Sequence, residues 1–177
     1  MMTQEQRNLL LDWMRKIHQL EYAHAYESLK WSKREKIIGI SAFIISTLIA
    51  CSYRFPHLKP EVFEKIPYVC RHDFIIPLAS TILAILTGLH TFLKPGEKSE
   101  NHRKSGLAYE KLRHKIEPNF FRHFTQWEIE QQIESIRKEW EKMDNTYVSP
   151  KNFQMGKSRV KSLGKYPEEL GFLPNRN

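Results

Sequence analysis

Two long stretches without a single charged side chain constrain this chain more than any other feature. The first reads IIGISAFIISTLIACSY, from Ile37 to Tyr53, and the second FIIPLASTILAILTGLHTFL, from Phe74 to Leu93. Neither contains Asp, Glu, Lys or Arg. At about 1.5 Å of rise per residue, they extend roughly 26 and 30 Å as helices, which matches the hydrocarbon core of a bilayer. A helix of that length on the surface of a water-soluble protein needs a polar face. Here the polar side chains are chiefly Ser and Thr with one His, His90, spread around the helix. The runs predict a transmembrane helical hairpin. The competing expectation is a hairpin buried in a soluble bundle, which 177 residues are poorly able to surround.

Around this hairpin the sequence predicts an all-α membrane protein in four parts: a cytoplasmic amphipathic helix over 1–36, the two-span hairpin over 37–93, cytoplasmic helices over 94–145, and a mostly irregular tail over 146–177. Thr3 and Gln6 have the spacing of a capping box, which places a helix start at the N-terminus. Leu9, Leu10, Trp13, Ile17, Leu20 and His24 recur at three- and four-residue intervals, as one stripe of an amphipathic helix does. No Pro or Gly intervenes before Gly39, so that helix is free to run into the first span. Its stripe needs a partner, and the helix following the second span is the natural one. That helix is expected from about Glu97 to Glu117, after the breaker Lys94-Pro95-Gly96, with Leu107, Tyr109, Leu112 and Ile116 as its stripe. Thr125 with Glu128 makes a second capping box, opening a helix with Ile129, Ile133, Ile136 and Trp140 on one face. Asn145 and Pro150 are expected to end it. The tail is rich in Gly and Pro, with one short helix expected near Lys151 to Leu163.

The loop between the runs holds Pro56, Pro60 and Pro67, which prevent one continuous helix. Tyr53, Phe55, Tyr68 and Phe74 fall where an aromatic belt belongs. Asp73 is placed to cap the second helix, and Pro77 falls near its first turn. Cys51 and Cys70 bracket the loop. They are either a disulfide across the hairpin mouth or two unpaired thiols.

Charge gives the orientation. Lys30, Lys33, Arg34 and Lys36 precede the first run, and Lys94, Lys98, Arg103 and Lys104 follow the second. The loop carries Arg54, Lys59, Lys65 and Arg71, but Arg7, Arg15 and Lys16 add to the outer flanks. The positive-inside rule then puts both termini in the cytoplasm. The first apolar run begins too late for the core of a signal peptide, so both runs are expected to persist.

A search for chemistry finds no Gly-rich phosphate loop, GxSxG, HExxH or CxxC. No catalytic residue, cofactor or metal ligand is assigned, and the chain is expected not to be an enzyme. His102, His114 and His123 are expected to be solvated surface histidines. His90 is the one ionisable group inside a span, about one turn from the cytoplasmic end. The spans carry small residues at four-residue spacing: Ala42, Ser46 and Ala50, then Ser80, Ala84 and Gly88. Such faces let helices approach closely in lipid. They serve either hairpin closure alone or the assembly of several hairpins, with Thr81, Thr87 and Thr91 adding hydroxyls nearby. Two spans cannot enclose a pore, so any channel must be oligomeric. The net charge of +8 fits anionic lipid headgroups at the membrane flanks. It fits nucleic acid less well, since 12 acids interleave with the 17 bases after residue 93. A nucleotide-messenger pocket is neither located nor excluded.

The run from Thr81 to Glu117 resembles the SLATT family of small two-span membrane proteins. The resemblance rests on Thr91, Phe92 and Leu93 at the end of an apolar helix, then the His102-Arg103 pair, then Tyr109, Leu112 and Arg113 on one helix. It implies an effector of a bacterial anti-phage system that forms homo-oligomers through its hairpin and breaches the membrane when triggered. The partner it implies is a nucleotide-signal synthase or a reverse-transcriptase system. His102, Arg103, Tyr109 and Arg113 would pin the helix after the spans to the N-terminal helix, or contact a ligand. The alternative function is a non-catalytic membrane anchor that recruits a cytoplasmic partner.

Overall fold

A computed structural model describes residues 2–52, 72–122, 124–143 and 146–167. Among them there is no strand. The elements are α1 (Gln4–Ser52), α2 (His72–Leu93), α3 (Pro95–Ile116), a 3-10 turn (Glu117–Phe120), α4 (Gln126–Glu141) and α5 (Pro150–Ser162). The chain divides into two compact units, Met1–Lys30 with Lys98–Asn177, and Trp31–Glu97.

The expected caps form. Gln6 N–H donates to the Thr3 hydroxyl at 3.2 Å, and Thr3 N–H donates to Gln6 Oε1 at 3.0 Å. α1 then continues without a break into the first apolar run. Thr125 and Glu128 make the second reciprocal box at the start of α4. The break before α3 is one residue wide. Lys94 takes φ 44°, a left-handed conformation that ends α2, and Pro95 opens α3 where its missing N–H costs least.

Three expectations are corrected. Pro77, expected near the first turn of α2, lies in its second turn and inside the helix, because the helix already begins at His72. Leu107 is exposed: it lies two residues from Tyr109, about 200° around the helix, so it faces away from the stripe. α4 ends at Glu141, short of Asn145. The short helix expected near Lys151–Leu163 is α5, 13 residues long. The loop residues Tyr53, Arg54, Phe55, Pro56, Lys59, Pro60, Lys65, Pro67, Tyr68, Cys70 and Arg71, the side chain of Asp73, and His123 and Asn145 lie outside the described residues.

In the unit of Met1–Lys30 with Lys98–Asn177, the α1 stripe meets α3 and α4. Leu10, Ile17, Tyr109, Leu112, Ile116 and Ile136 form the core, with Trp13, Leu20, Ile133 and Trp140 packed around it. Trp13 and Trp140 meet edge to face at 5.9 Å, the arrangement that the ring quadrupoles favour. α5 crosses α1 at Gly156, where an added Cβ would stand 2.5 Å from the Gln19 carbonyl oxygen and 3.0 Å from Ala23 N. Only glycine allows that approach.

Candidate functional site

In the unit of Trp31–Glu97, the two apolar helices present their side chains outward. In each, none of the most apolar 18-residue window is buried. Phe43, Leu48, Ile40, Ile85 and Phe92 all stand exposed, Phe92 the most at 85 %. In the apolar run of α1 the half-buried positions include Ile38, Ser41, Ala42, Ile45 and Ile49, and in α2 they are Phe74, Ile76, Ala79, Leu83, Leu86 and Leu93. Most intervals in each set are three, four or seven residues, so the hairpin closes through one stripe per helix, made mostly of large aliphatic side chains. The small residues are placed differently. Ala42 is half-buried, but Ser46, Ala50, Ser80, Ala84 and Gly88 are exposed. A Cβ built at Gly88 meets nothing within 4 Å. The small face of α2 therefore takes no part in closing the hairpin.

Most hydroxyls of this surface, those of Ser46, Thr47, Thr81, Thr87 and Thr91, are satisfied within their own helices. Ser46 and Thr47 both donate to the Phe43 carbonyl at 2.9 Å. Thr81 donates to Pro77 O at 2.9 Å, Thr87 to Leu83 O at 2.8 Å, and Thr91 to Thr87 O at 3.0 Å. Back-bonding of this kind lets a hydroxyl sit in a medium that offers no other partner. At the polar end of the first run, the Arg34 guanidinium lies 4.8 Å from the Trp31 ring centre, a pairing suited to a headgroup layer. His90 and Cys51 are exposed on the helix surface.

The other unit holds a buried polar network that periodicity alone did not reveal. His24 and His102 are buried, with their Nδ1 atoms 3.1 Å apart. One Nδ1 must donate and the other accept, so two neutral rings here take opposite tautomers, one protonated at Nδ1 and the other at Nε2. Burial, with the His102 charge adding to it, lowers the His24 pKa to about 4, and burial also lowers that of His102. Tyr109 stacks on His24 at 5.4 Å. One turn beyond His24, the Glu27 carboxylate is 2 % exposed. It accepts the Ser149 N–H at 2.9 Å, the Ser149 hydroxyl, and Lys30 Nζ at 3.1 Å. Burial alone would raise its pKa, but the hydrogen bonds from Ser149 and Lys30 outweigh it and bring it to about 2. Glu27 thus anchors the N-terminus of α5, where a carboxylate also meets the positive end of the helix dipole.

The residues carrying the family resemblance separate here. His102, Tyr109 and Arg113 do join α3 to α1: His102 and Tyr109 through His24, and Arg113 through Glu21 at 2.9 Å. Arg113 also pairs with Glu117. Arg103 does not join them; it is exposed and paired with Glu100 on its own helix at 2.7 Å. The expectation of a solvated His102 is corrected, since it is buried against His24, while His114 is exposed as expected. The signal overlooked was the His24 stripe position, which leaves a buried imidazole needing a polar partner on the facing helix. Among the described residues, no group of three or more His, Cys, Asp or Glu is placed to hold a metal. Compared with protein-family models, curated proteins and solved structures, the chain matches none of them.

Proposed function

We propose that the chain is a membrane effector: its hairpin spans the bacterial inner membrane with both termini in the cytoplasm, and several hairpins assemble to breach the membrane when triggered. One observation carries this reading. The two most apolar windows are unburied, and a contiguous apolar surface of that size demands lipid or other hairpins around it. The free small face of Ser80, Ala84 and Gly88 supplies a surface for lateral packing. The anti-phage setting, with a nucleotide-signal synthase or reverse-transcriptase partner, rests on the resemblance to the SLATT family. At rest, a closed hairpin with no charge in its spans gives ions no path.

The test is made in cells carrying the chain with its neighbouring genes, using a membrane-potential dye before and after phage challenge. Depolarisation only after challenge is the expected outcome. Ser80, Thr81, Thr87 and Thr91 are the hydroxyls proposed to line a wet path once several hairpins pack, and Thr81→Val with Thr87→Val removes two of them without changing shape. That variant should insert and oligomerise yet depolarise less. A triggered wild type that leaves the potential unchanged would replace the effector by the membrane anchor that recruits a cytoplasmic partner.

A further inference from the structure

A cleft of about 540 Å³ opens between the first turns of α1, the end of α3 with the 3-10 turn, and the segment after α5. All of it belongs to the unit of Met1–Lys30 with Lys98–Asn177. We infer that this cleft binds a small organic anion with a planar apolar body, its charge held between Arg7 and Lys165 and its ring against Phe120 and Phe121.

The size is that of a small-molecule site. Its cations are unequal. Arg113 is committed to Glu21 and Glu117, but Arg7 and Lys165 have no carboxylate partner among the described residues. Both are exposed, and both line the cleft. Its one carboxylate, Glu117, is spent on Arg113 and His114. The positive field is felt by a neighbour: after burial, the charges of Arg113 and Lys165 do most to lower the pKa of His18, to about 4. His18 therefore stays neutral, and its Nδ1 pairs with the Tyr166 hydroxyl at 3.0 Å.

The apolar half is equally unusual. Phe121 is 86 % exposed, at the cleft's edge, and leaves a large ring in water without a partner. Phe120 lies beside it, with the Arg7 guanidinium 6.0 Å from its ring centre. Leu11 and Met14 continue the apolar lining. A guanidinium already over one ring can stack on a second planar group while its N–H groups meet an anion. A free inorganic anion would leave the aromatic wall unused, and a neutral ring would leave both cations unused.

The experiment uses the full chain in lipid nanodiscs and 1-naphthyl phosphate as the probe, read by titration calorimetry, with empty nanodiscs as the blank. Saturable binding of one probe per chain is expected, with inorganic phosphate and 1-naphthol each at least tenfold weaker. Arg7→Gln with Lys165→Gln should weaken the probe at least tenfold, and Phe121→Ala several-fold. All three side chains are exposed, so the variants keep the fold, which circular dichroism checks. Absence of saturable binding, affinity unchanged by the variants, or inorganic phosphate binding as tightly as the probe would each overturn the inference. None of these outcomes bears on whether the hairpin breaches a membrane.

Discussion

At the scale of single residues, two features set the stability of the bundle, and each has a definite sign. The first is the set of neutral buried imidazoles. An unfolded His takes up a proton near pH 6.5, whereas His18 and His24 in the fold resist until about 4. Between those values the unfolded chain binds more protons, so acidification destabilises the bundle. Stability should be full above pH 6.5 and fall as pH drops toward about 4. Glu27, held at about 2 against an ordinary 4.5, adds a second loss from pH 4.5 downward. Thermal unfolding followed by circular dichroism at a series of pH values checks both. His24→Gln with His102→Gln should flatten the first part of the profile. The second feature is Gly156. Its added methyl would meet backbone atoms that cannot move aside, so Gly156→Ala should cost about 1–3 kcal/mol and loosen α5. At Gly106 the same methyl meets its nearest neighbour at an ordinary 3.6 Å. Gly106→Ala should be neutral or gain up to about 1 kcal/mol from helix propensity. Limited proteolysis after α5 distinguishes the two: equal release in both variants would contradict the tight crossing.

At the scale of elements, the hairpin uses one pair of faces for its own closure and leaves another free. Ile45, Ile49, Leu83 and Leu86 lie on the closing stripes, and Gly88 does not. Gly88→Leu should therefore leave hairpin and bundle intact while reducing crosslinked oligomers, because a Leu side chain separates backbones that glycine lets approach. Unchanged crosslinking would move the assembly face elsewhere. Much at this scale was legible in the sequence. The two capping boxes, the α1 stripe and the α4 stripe are local patterns, and local patterns fix helix starts and buried faces. What closes the hairpin was not legible, because small and large apolar residues both tolerate the contact and only the rotation of each helix decides between them. The pairing of His24 with His102, and of Glu27 with Ser149, joins positions 78 and 122 residues apart. No spacing rule reaches that far. The cleft lined by Arg7 and Lys165 was hidden for the same reason.

At the scale of the whole molecule, the chain couples a well-packed helical bundle with a buried polar network to a hairpin whose apolar surface is unburied. Water disfavours such a surface at about 25 cal/mol per Å², and a bilayer removes that cost without further protein. In the proposed topology the hairpin crosses the membrane and returns, leaving both ends on the cytoplasmic side. The most direct measurement labels one cysteine, Ser158→Cys, in a chain carrying Cys51→Ala and Cys70→Ala. Ser158 is exposed on α5. A membrane-impermeant maleimide is applied to intact spheroplasts, then to permeabilised ones, with the membrane fraction washed in alkaline carbonate. The expected result is a protein that stays with the membrane and is labelled only after permeabilisation. Labelling in intact spheroplasts, or release of the protein by carbonate, would contradict it.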